Sequence, residues 1–219
     1  IGDNENNNIK NISYATGKVS GVVNVGGLVG RNDGDVVLAN ATGAVSGYEN
    51  IGGLVGFNDD GDVIASYATG SVTGYKDVGG LVGSNNWDVS NSYATGKVTG
   101  TSNVGGLVGA NYDDGDIWNT YAIGKVIGVN DVGGLVGEND GSVANSFWNT
   151  QTSGMVTGIG DGDTDGAYGL RTKEMKKMAN FAAAGWDITN TTVVDEVWKI
   201  SEGSKYPLLT GYFDYSEHP

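Results

Sequence analysis

The chain has 219 residues and a formal net charge of −14. That charge disfavours a nucleic-acid partner, whose phosphates require clustered Lys and Arg, and it disfavours electrostatic binding to an anionic membrane. The absence of cysteine excludes disulfides, thiolate metal sites and a cysteine nucleophile. No apolar run is long enough to cross a bilayer. Glycine is abundant, yet a hydrophobic content of 38% favours an ordered fold over a disordered chain.

Most of the chain is built from one repeated unit. The string Gly-Gly-Leu-Val-Gly begins at residues 26, 52, 79, 105 and 133, with spacings of 26, 27, 26 and 28 residues. A second string, Ala-Thr-Gly-x-Val, begins at residues 15, 41, 68 and 94 and returns in altered form at 122. Each unit reads as three short extended segments joined by Asn, Asp and Gly turns. Such a period predicts stacked coils, each of which buries one face against the next.

Equivalent residues of stacked coils form columns along the stack. Two columns of branched apolar residues are predicted to be core: Val25, Ile51, Val78, Val104 and Val132, and Val19, Val45, Val72, Val98 and Val126. A third column predicts a ladder of side-chain amides that is interrupted by two aspartates: Asn24, Asn50, Asp77, Asn103 and Asp131. The adjacent Leu and Val of Gly-Gly-Leu-Val-Gly would face opposite sides of an ideal strand, so either the strand bends there or its outer side is covered.

An aromatic column is the main candidate for ligand binding. It consists of Tyr14, Asn40, Tyr67, Tyr93, Tyr121 and Phe147. Small residues flank the aromatic ones, and a polar residue occupies one position, which indicates that the column faces outward. The column is then either a packing ladder or an exposed platform for sugars, formed by Tyr67, Tyr93 and Tyr121. Tyr48 and Tyr75, at equivalent loop positions of adjacent coils, are further candidates for holding a glycan.

Two kinds of modification or ion site are predicted. The carboxylates Asp161, Asp163 and Asp165 have the D-x-D-x-D-G spacing of a calcium loop, in which alternate oxygen ligands converge on one ion. The twelfth position is Thr172 instead of the usual Glu, so a plain acidic linker is the alternative. The fold requires no cofactor, and calcium is the one ion the sequence suggests. Sequons permit N-glycosylation at Asn11, Asn40 and Asn190.

The last third of the chain differs in pattern. We place a solenoid domain at residues 1–148 and a C-terminal capping module at 149–219. A helix is predicted over about 172–184, with Thr172 as N-cap and Met175, Met178 and Ala182 on one face. This helix, with Trp186 and Trp198, is expected to cap the C-terminal end of the stack, because terminal coils expose apolar surface. The short polar stretch at residues 1–8 is expected to leave the other end open to a further domain or subunit.

The repeats resemble the GLUG repeat family, known from large secreted and surface proteins of bacteria and archaea. The resemblance covers residues ~9–148, as N-S-Y-A-T-G-x-V-x-G followed by V-G-G-L-V-G-x-N. It implies an all-β fold: a β-solenoid (β-helix) of about five to six coils, here with a small C-terminal α/β capping module. It also implies a cell-surface setting, and it brings no catalytic residues.

An enzyme is not predicted. The single histidine, His218, is close to the C-terminus, and neither arginine lies near a distinctive carboxylate pair. We therefore predict a non-enzymatic, extracellular structural or adhesive surface protein: a self-assembling filament, sheath or S-layer subunit, or one segment of a large adhesin. Its expected partners are further copies of itself or other surface components. The alternative is a carbohydrate-binding module that uses an exposed Tyr ladder.

Overall fold

The structure is a computed structural model that describes residues 2–4, 8–9, 13–191 and 196–210. Five parallel sheets run along it, and successive turns of the chain add one short strand to each sheet. The protein is therefore an all-β solenoid of about six turns, which confirms the predicted fold class. His218 lies outside the described residues, which end at residue 210.

The five sheets, called A to E, follow one another around each turn. Sheet A joins Asp3–Asn4, Val29–Asn32, Val55–Asn58, Val82–Asn85, Val108–Asn111, Val136–Asn139 and Ile159–Gly162. Sheet B joins Val36–Val37, Val63–Ile64, Val89–Ser90, Asp116–Trp118 and Ser142–Ala144. Sheet C joins Tyr14–Ala15, Asn40–Ala41, Tyr67–Ala68, Tyr93–Ala94, Tyr121–Ala122, Ser146–Asn149 and Ala167–Leu170. Sheet D joins Val19–Ser20, Val45–Ser46, Val72–Thr73, Val98–Thr99 and Val126–Ile127. Sheet E joins Val23–Gly26, Glu49–Gly52, Lys76–Gly79, Ser102–Gly105 and Asn130–Gly133.

The solenoid encloses two hydrophobic cores. The larger core collects Leu and Val of sheet A, Val of sheet B and Ala of sheet C. The smaller core lies between sheets D and E and contains the two predicted Val and Ile columns, with Val19 and Val132 partly buried at its ends. The Leu and Val of each Gly-Gly-Leu-Val-Gly both point inward, because the chain bends between sheets E and A at Gly-Leu. The strand therefore bends, and it needs no outer cover.

The glycines before that bend allow neighbouring turns to touch. A Cβ atom on Gly80 would lie 2.1 Å from the carbonyl oxygen of Gly106 and 2.8 Å from the Cβ of Ala94. Contacts this short do not occur between real atoms, so only glycine fits at this position. The repeat keeps Gly-Gly because the backbone of one turn packs directly on that of the next.

Two ladders of polar side chains link the turns. In the predicted ladder, Asn50 Nδ2 donates to Asn24 Oδ1 and Asn103 Nδ2 donates to Asp77 Oδ1, both at 2.8 Å. Its members have φ near +50°, a conformation that Asn and Asp tolerate better than other non-glycine residues. A second ladder, fully buried at the end of each sheet A strand, was predicted only as turn residues. Its members are Asn4, Asn32, Asn58, Asn85, Asn111 and Asn139, and the Nδ2 of each of the first five donates to the Oδ1 of the next at 2.7–2.9 Å.

The C-terminal end of the larger core is filled by one large side chain. Trp148 takes the place that alanine holds in the preceding turns, and it pairs in register with Ala122. Its ring packs against Gly134 and Gly158, and Nε1 donates to the Met155 carbonyl oxygen at 3.3 Å. The parallel sheets continue beyond the boundary placed near residue 149, since Ile159–Gly162 extends sheet A and Ala167–Leu170 extends sheet C.

The rest of the C-terminal module contains two short helices and a small sheet. A 3-10 helix at Glu174–Lys176 and an α-helix at Met178–Ala182 replace the continuous helix predicted over 172–184. The break is at Lys177, whose backbone is extended. On one continuous helix Met175 and Phe181 would point roughly 120° apart, whereas the break allows both side chains to be buried. Sheet F joins Ile188–Thr189, Trp198–Lys199 and Leu208–Leu209.

Candidate ligand-binding surfaces

The aromatic column faces outward from the solenoid, but most of it is covered. The rings of Tyr67, Tyr93 and Tyr121 stack at centroid distances of 4.9 Å with planes within 3° of parallel. Tyr121 is only 1% exposed and Tyr93 only 6%. The expected exposed sugar platform over Tyr67, Tyr93 and Tyr121 is therefore wrong for Tyr93 and Tyr121, while Tyr67 is partly buried. The packing-ladder alternative describes this column better.

The cover is the C-terminal module itself. Met175, Phe181, Trp186, Trp198 and Ile200 form one cluster with the aromatic column. Three hydrogen bonds fix this contact across several turns: Trp186 Nε1 to the Asn145 carbonyl oxygen at 2.8 Å, Trp198 Nε1 to Asn91 Oδ1 at 3.3 Å, and Tyr121 Oη to the Pro207 carbonyl oxygen at 2.6 Å. The module thus packs on the side of the solenoid, against the outer face of sheet C. It does not sit over the end of the stack as expected, because the end is already filled by Trp148.

Tyr48 and Tyr75 form a separate, exposed pair. Their rings stack at a centroid distance of 4.8 Å with planes within 6°, and they are 53% and 47% exposed. Backbone hydrogen bonds place them in one column with Val22, Thr101 and Val129. Each ring covers one face of the other, so the pair offers ring edges and one outer face from each residue.

The predicted calcium loop is spread along an exposed strand and turn. Asp161 lies in the last strand of sheet A, and Asp163 Oδ1 accepts a hydrogen bond from the Asp165 amide at 3.0 Å. All three residues are exposed. Among the residues that the structure describes, no three His, Cys, Asp or Glu side chains are grouped so as to hold a metal ion. Calcium binding by Asp161, Asp163 and Asp165 stays a prediction.

The three sequons lie in different settings. Asn40 is partly buried in sheet C, between Tyr14 and Tyr67 of the neighbouring turns. Asn190 is exposed just after the first strand of sheet F. Asn11 lies outside the described residues. Glycosylation at these positions stays a prediction.

A polar groove, which sequence reasoning missed, runs along the outer corner between sheets E and A. A cavity of about 440 Å³ in it spans three successive turns. It is lined by Glu49, Asn50, Phe57, Lys76, Asp77, Ser84, Asn86, Tyr112, Asp113 and Asp114. The sequence contains a signal for it: in one outward-facing column of sheet A the residue type changes at every turn, whereas the Val and Asn columns of the same strands keep their residue type. Its members are Arg31, Phe57, Ser84, Ala110 and Glu138.

Charged groups in this groove are partly desolvated. Asp77 is 1% exposed, and burial raises its pKa above the usual value. Lys76 Nζ lies 3.2 Å from Glu49 Oε1 and 3.5 Å from Asp77 Oδ2. Burial, reinforced by the Asp77 carboxylate, also raises the pKa of the Tyr112 phenol. The groove therefore combines aromatic surface, carboxylates and one ammonium group.

A column of aspartates lies immediately before the Val and Ile column of sheet B. Register places Asp35, Asp62, Asp88 and Asp116 in successive turns. Burial raises the pKa of Asp88 to about 6, and the charges of Asp62 and Asp116 add to the rise. The raised pKa means that the charged form of Asp88 is disfavoured in the folded protein.

The geometry defines a class of protein: a repeat-built β-solenoid. Residues 47–73, 74–99 and 100–127 match the family model described as the GLUG motif, three consecutive repeats in the middle of the solenoid. This match confirms the predicted GLUG repeats over residues 47–127. No curated protein and no solved structure matches the chain. Within the described ranges, no helix has the length and apolar character needed to span a bilayer.

Proposed function

We propose that this protein is a non-enzymatic structural or adhesive module of an extracellular surface protein. GLUG repeats on a β-solenoid fit a repeat-based surface protein. The observation that supports the structural role is the filled interior: two apolar cores and a buried asparagine ladder run through successive turns. Such stacking makes a stiff rod whose turns are cross-linked by hydrogen bonds. A rod of this kind can hold a binding surface away from a cell or form part of a filament, a sheath or an S-layer.

The self-assembling version of this role is supported by the first turn. Its strands are the outermost strands of sheets A, C, D and E in the described part of the chain. Tyr14, Val22 and Val23 in this turn are exposed. A parallel strand edge is a template for another strand, and the stacked turns already use this same interface repeatedly. We propose that the occupant is a second copy of the chain, added head to tail.

Sedimentation velocity and negative-stain electron microscopy test this version. The purified chain should form larger end-to-end species as its concentration rises. The double substitution Val22→Lys/Val23→Lys should abolish them, because it places charge at the first turn, whereas Thr101→Lys, in the same column but inside the stack, should not. A monodisperse monomer at every concentration would remove the self-assembling version. Immunogold labelling of intact cells tests the wider proposal, which fails if the protein is absent from the cell surface.

A carbohydrate-binding module is the second candidate function. It is favoured by the exposed stacked pair Tyr48 and Tyr75, since exposed aromatic rings contact sugars. A glycan array should show binding that Tyr48→Ala/Tyr75→Ala removes and that Tyr14→Ala, an exposed tyrosine of another column, does not. Binding that is unchanged by Tyr48→Ala/Tyr75→Ala would exclude this pair.

A further inference from the structure

The polar groove contains a break in its amide ladder. In the two intact rungs, an Asn side chain donates to the residue one turn earlier: Asn50 donates to Asn24, and Asn103 donates to Asp77. Asp77 has no side-chain N–H, so it cannot donate to Asn50 Oδ1. Within the described residues, no hydrogen bond reaches Asn50 Oδ1. Asp77 itself is buried, accepts from Asn103 and lies 3.5 Å from Lys76 Nζ, so Asn50 is the groove-lining acceptor that the broken rung leaves without a donor.

A second break in the same ladder is repaired within the protein. Asp131 likewise cannot donate to Asn103, but there the Ser102 hydroxyl donates to Asn103 Oδ1 at 3.2 Å. The equivalent of Ser102 beside Asn50 is Glu49, an acceptor that pairs with Lys76. The missing donor is thus specific to the part of the ladder that lines the 440 Å³ cavity.

Aromatic side chains flank this break on both sides. Phe57 belongs to the turn of Asn50, and Tyr112 belongs to the turn after Asp77, where the loop is longest. Ser84, between them, is buried and within hydrogen-bond reach of the Tyr112 phenol. Aromatic surface beside hydrogen-bond acceptors suits a ligand with apolar faces and hydroxyl edges.

We propose that this groove binds an extended, uncharged glycan, with Phe57 and Tyr112 contacting sugar rings and with Asn50 Oδ1 accepting a hydrogen bond from a hydroxyl. The turns repeat at about 4.8 Å, close to the length of one sugar residue in an extended chain, so successive sugars meet successive turns. An anionic glycan is disfavoured, because Glu49, Asp77, Asp113 and Asp114 outweigh the single Lys76. A basic peptide is the competing occupant, because Lys76 offsets only one of these four carboxylates, and the aromatic surface of Phe57 and Tyr112 is what favours the glycan.

This proposal does not depend on self-assembly or on the Tyr48–Tyr75 pair. Those two tyrosines stand one position before Glu49 and Lys76 in the chain and are not among the groove-lining residues. The control for aromatic contacts is Tyr14, which is exposed in the first turn and is not a groove-lining residue.

Isothermal titration calorimetry on the full chain tests the groove. The probes are hexamers of β-1,4-linked glucose and of N-acetylglucosamine, a galacturonate oligomer as the anionic control, and an oligolysine peptide. At least one neutral hexamer should bind, and the galacturonate oligomer should not. Tyr112→Ala should weaken binding about tenfold, the equivalent of ~1.4 kcal/mol for one lost aromatic contact, while Tyr14→Ala should leave it unchanged.

Asp77→Asn separates ligand binding from stability. The new amide can donate to Asn50 Oδ1 and still accept from Asn103, so the ladder is completed and a buried charge is removed. We expect binding about tenfold weaker with a thermal unfolding midpoint that is not lowered. The proposal is overturned if neither neutral hexamer binds at millimolar concentration or if Asp77→Asn and Tyr112→Ala both bind as the wild type does. It is also overturned if only the oligolysine peptide binds.

Discussion

At the scale of single residues, the buried asparagine column holds neighbouring turns in register. Asn85 is fully buried; its Nδ2 donates to Asn111 Oδ1, and its Oδ1 accepts from Asn58. Asn85→Ala leaves the two partner atoms, Asn111 Oδ1 and Asn58 Nδ2, without this hydrogen bond in a buried position, so we expect the free energy of unfolding to fall by about 3 kcal/mol. Chemical denaturation measures this loss, and the exposed Asn130→Ala should change it by less than ~0.5 kcal/mol. Equal effects of the two substitutions would show that the buried column adds little stability.

Glycine at the bend is required for a different reason, the close approach of two backbones. Gly80→Ala would push a methyl group against the Gly106 carbonyl oxygen, and backbone cannot move aside without shifting a whole turn. We expect a loss of about 3 kcal/mol or more. Gly17→Ala is the control, because a Cβ there meets nothing within 4 Å. Thermal unfolding should separate the two variants clearly, and a stable Gly80→Ala protein would contradict this packing.

At the scale of elements, the repeat pattern predicts what lies inside a turn better than what lies on it. The Val and Ile columns are core as predicted, since a period shared by five units fixes which residues stack. The asparagines of sheet A were assigned to turns, because residue type alone does not separate a buried, hydrogen-bonded Asn from a turn Asn. Alternation placed the Tyr column on the outer face, but its burial depends on Trp186 and Trp198, far away in sequence, and no local pattern reports that contact. The groove was missed because it is formed by side chains from three different turns.

The lateral packing of the C-terminal module leads to a direct test. Trp198 is fully buried against Tyr93 and Tyr121. Trp198→Ala should lower the free energy of unfolding by about 4 kcal/mol and make both tyrosines reactive towards tetranitromethane, as read by mass spectrometry. Trp87→Ala removes a largely exposed tryptophan and should leave both tyrosines protected. Rapid nitration of Tyr121 in the unsubstituted protein would contradict the covered column.

At the scale of the whole molecule, stacking places like charges above one another in a chain that already carries a net charge of −14. Burial raises the pKa of Asp77 and of Glu138, and it raises that of Asp88 to about 6 from an ordinary value of 3.8. A carboxyl group whose pKa is higher in the folded state binds protons more tightly there. These groups therefore destabilise the fold when charged, and stability rises as the pH falls through about 6, with the gain complete below 3.8.

We therefore expect the thermal unfolding midpoint to rise as the pH is lowered from 7.5 to 5. Asp88 should contribute about 1 kcal/mol to the gain in the free energy of unfolding, after allowance for its partial solvent screening. Asp88→Asn should raise the midpoint at pH 7.5 and reduce the rise between the two pH values, because the amide cannot be charged. Asp114→Asn removes the same charge from an exposed loop, so it should leave the pH dependence as in the wild type. Differential scanning calorimetry across this range makes the comparison. A midpoint that falls steadily from pH 7.5 to pH 5 would show that the charged Asp88 does not destabilise the solenoid, because protonation of a destabilising carboxylate must raise the free energy of unfolding.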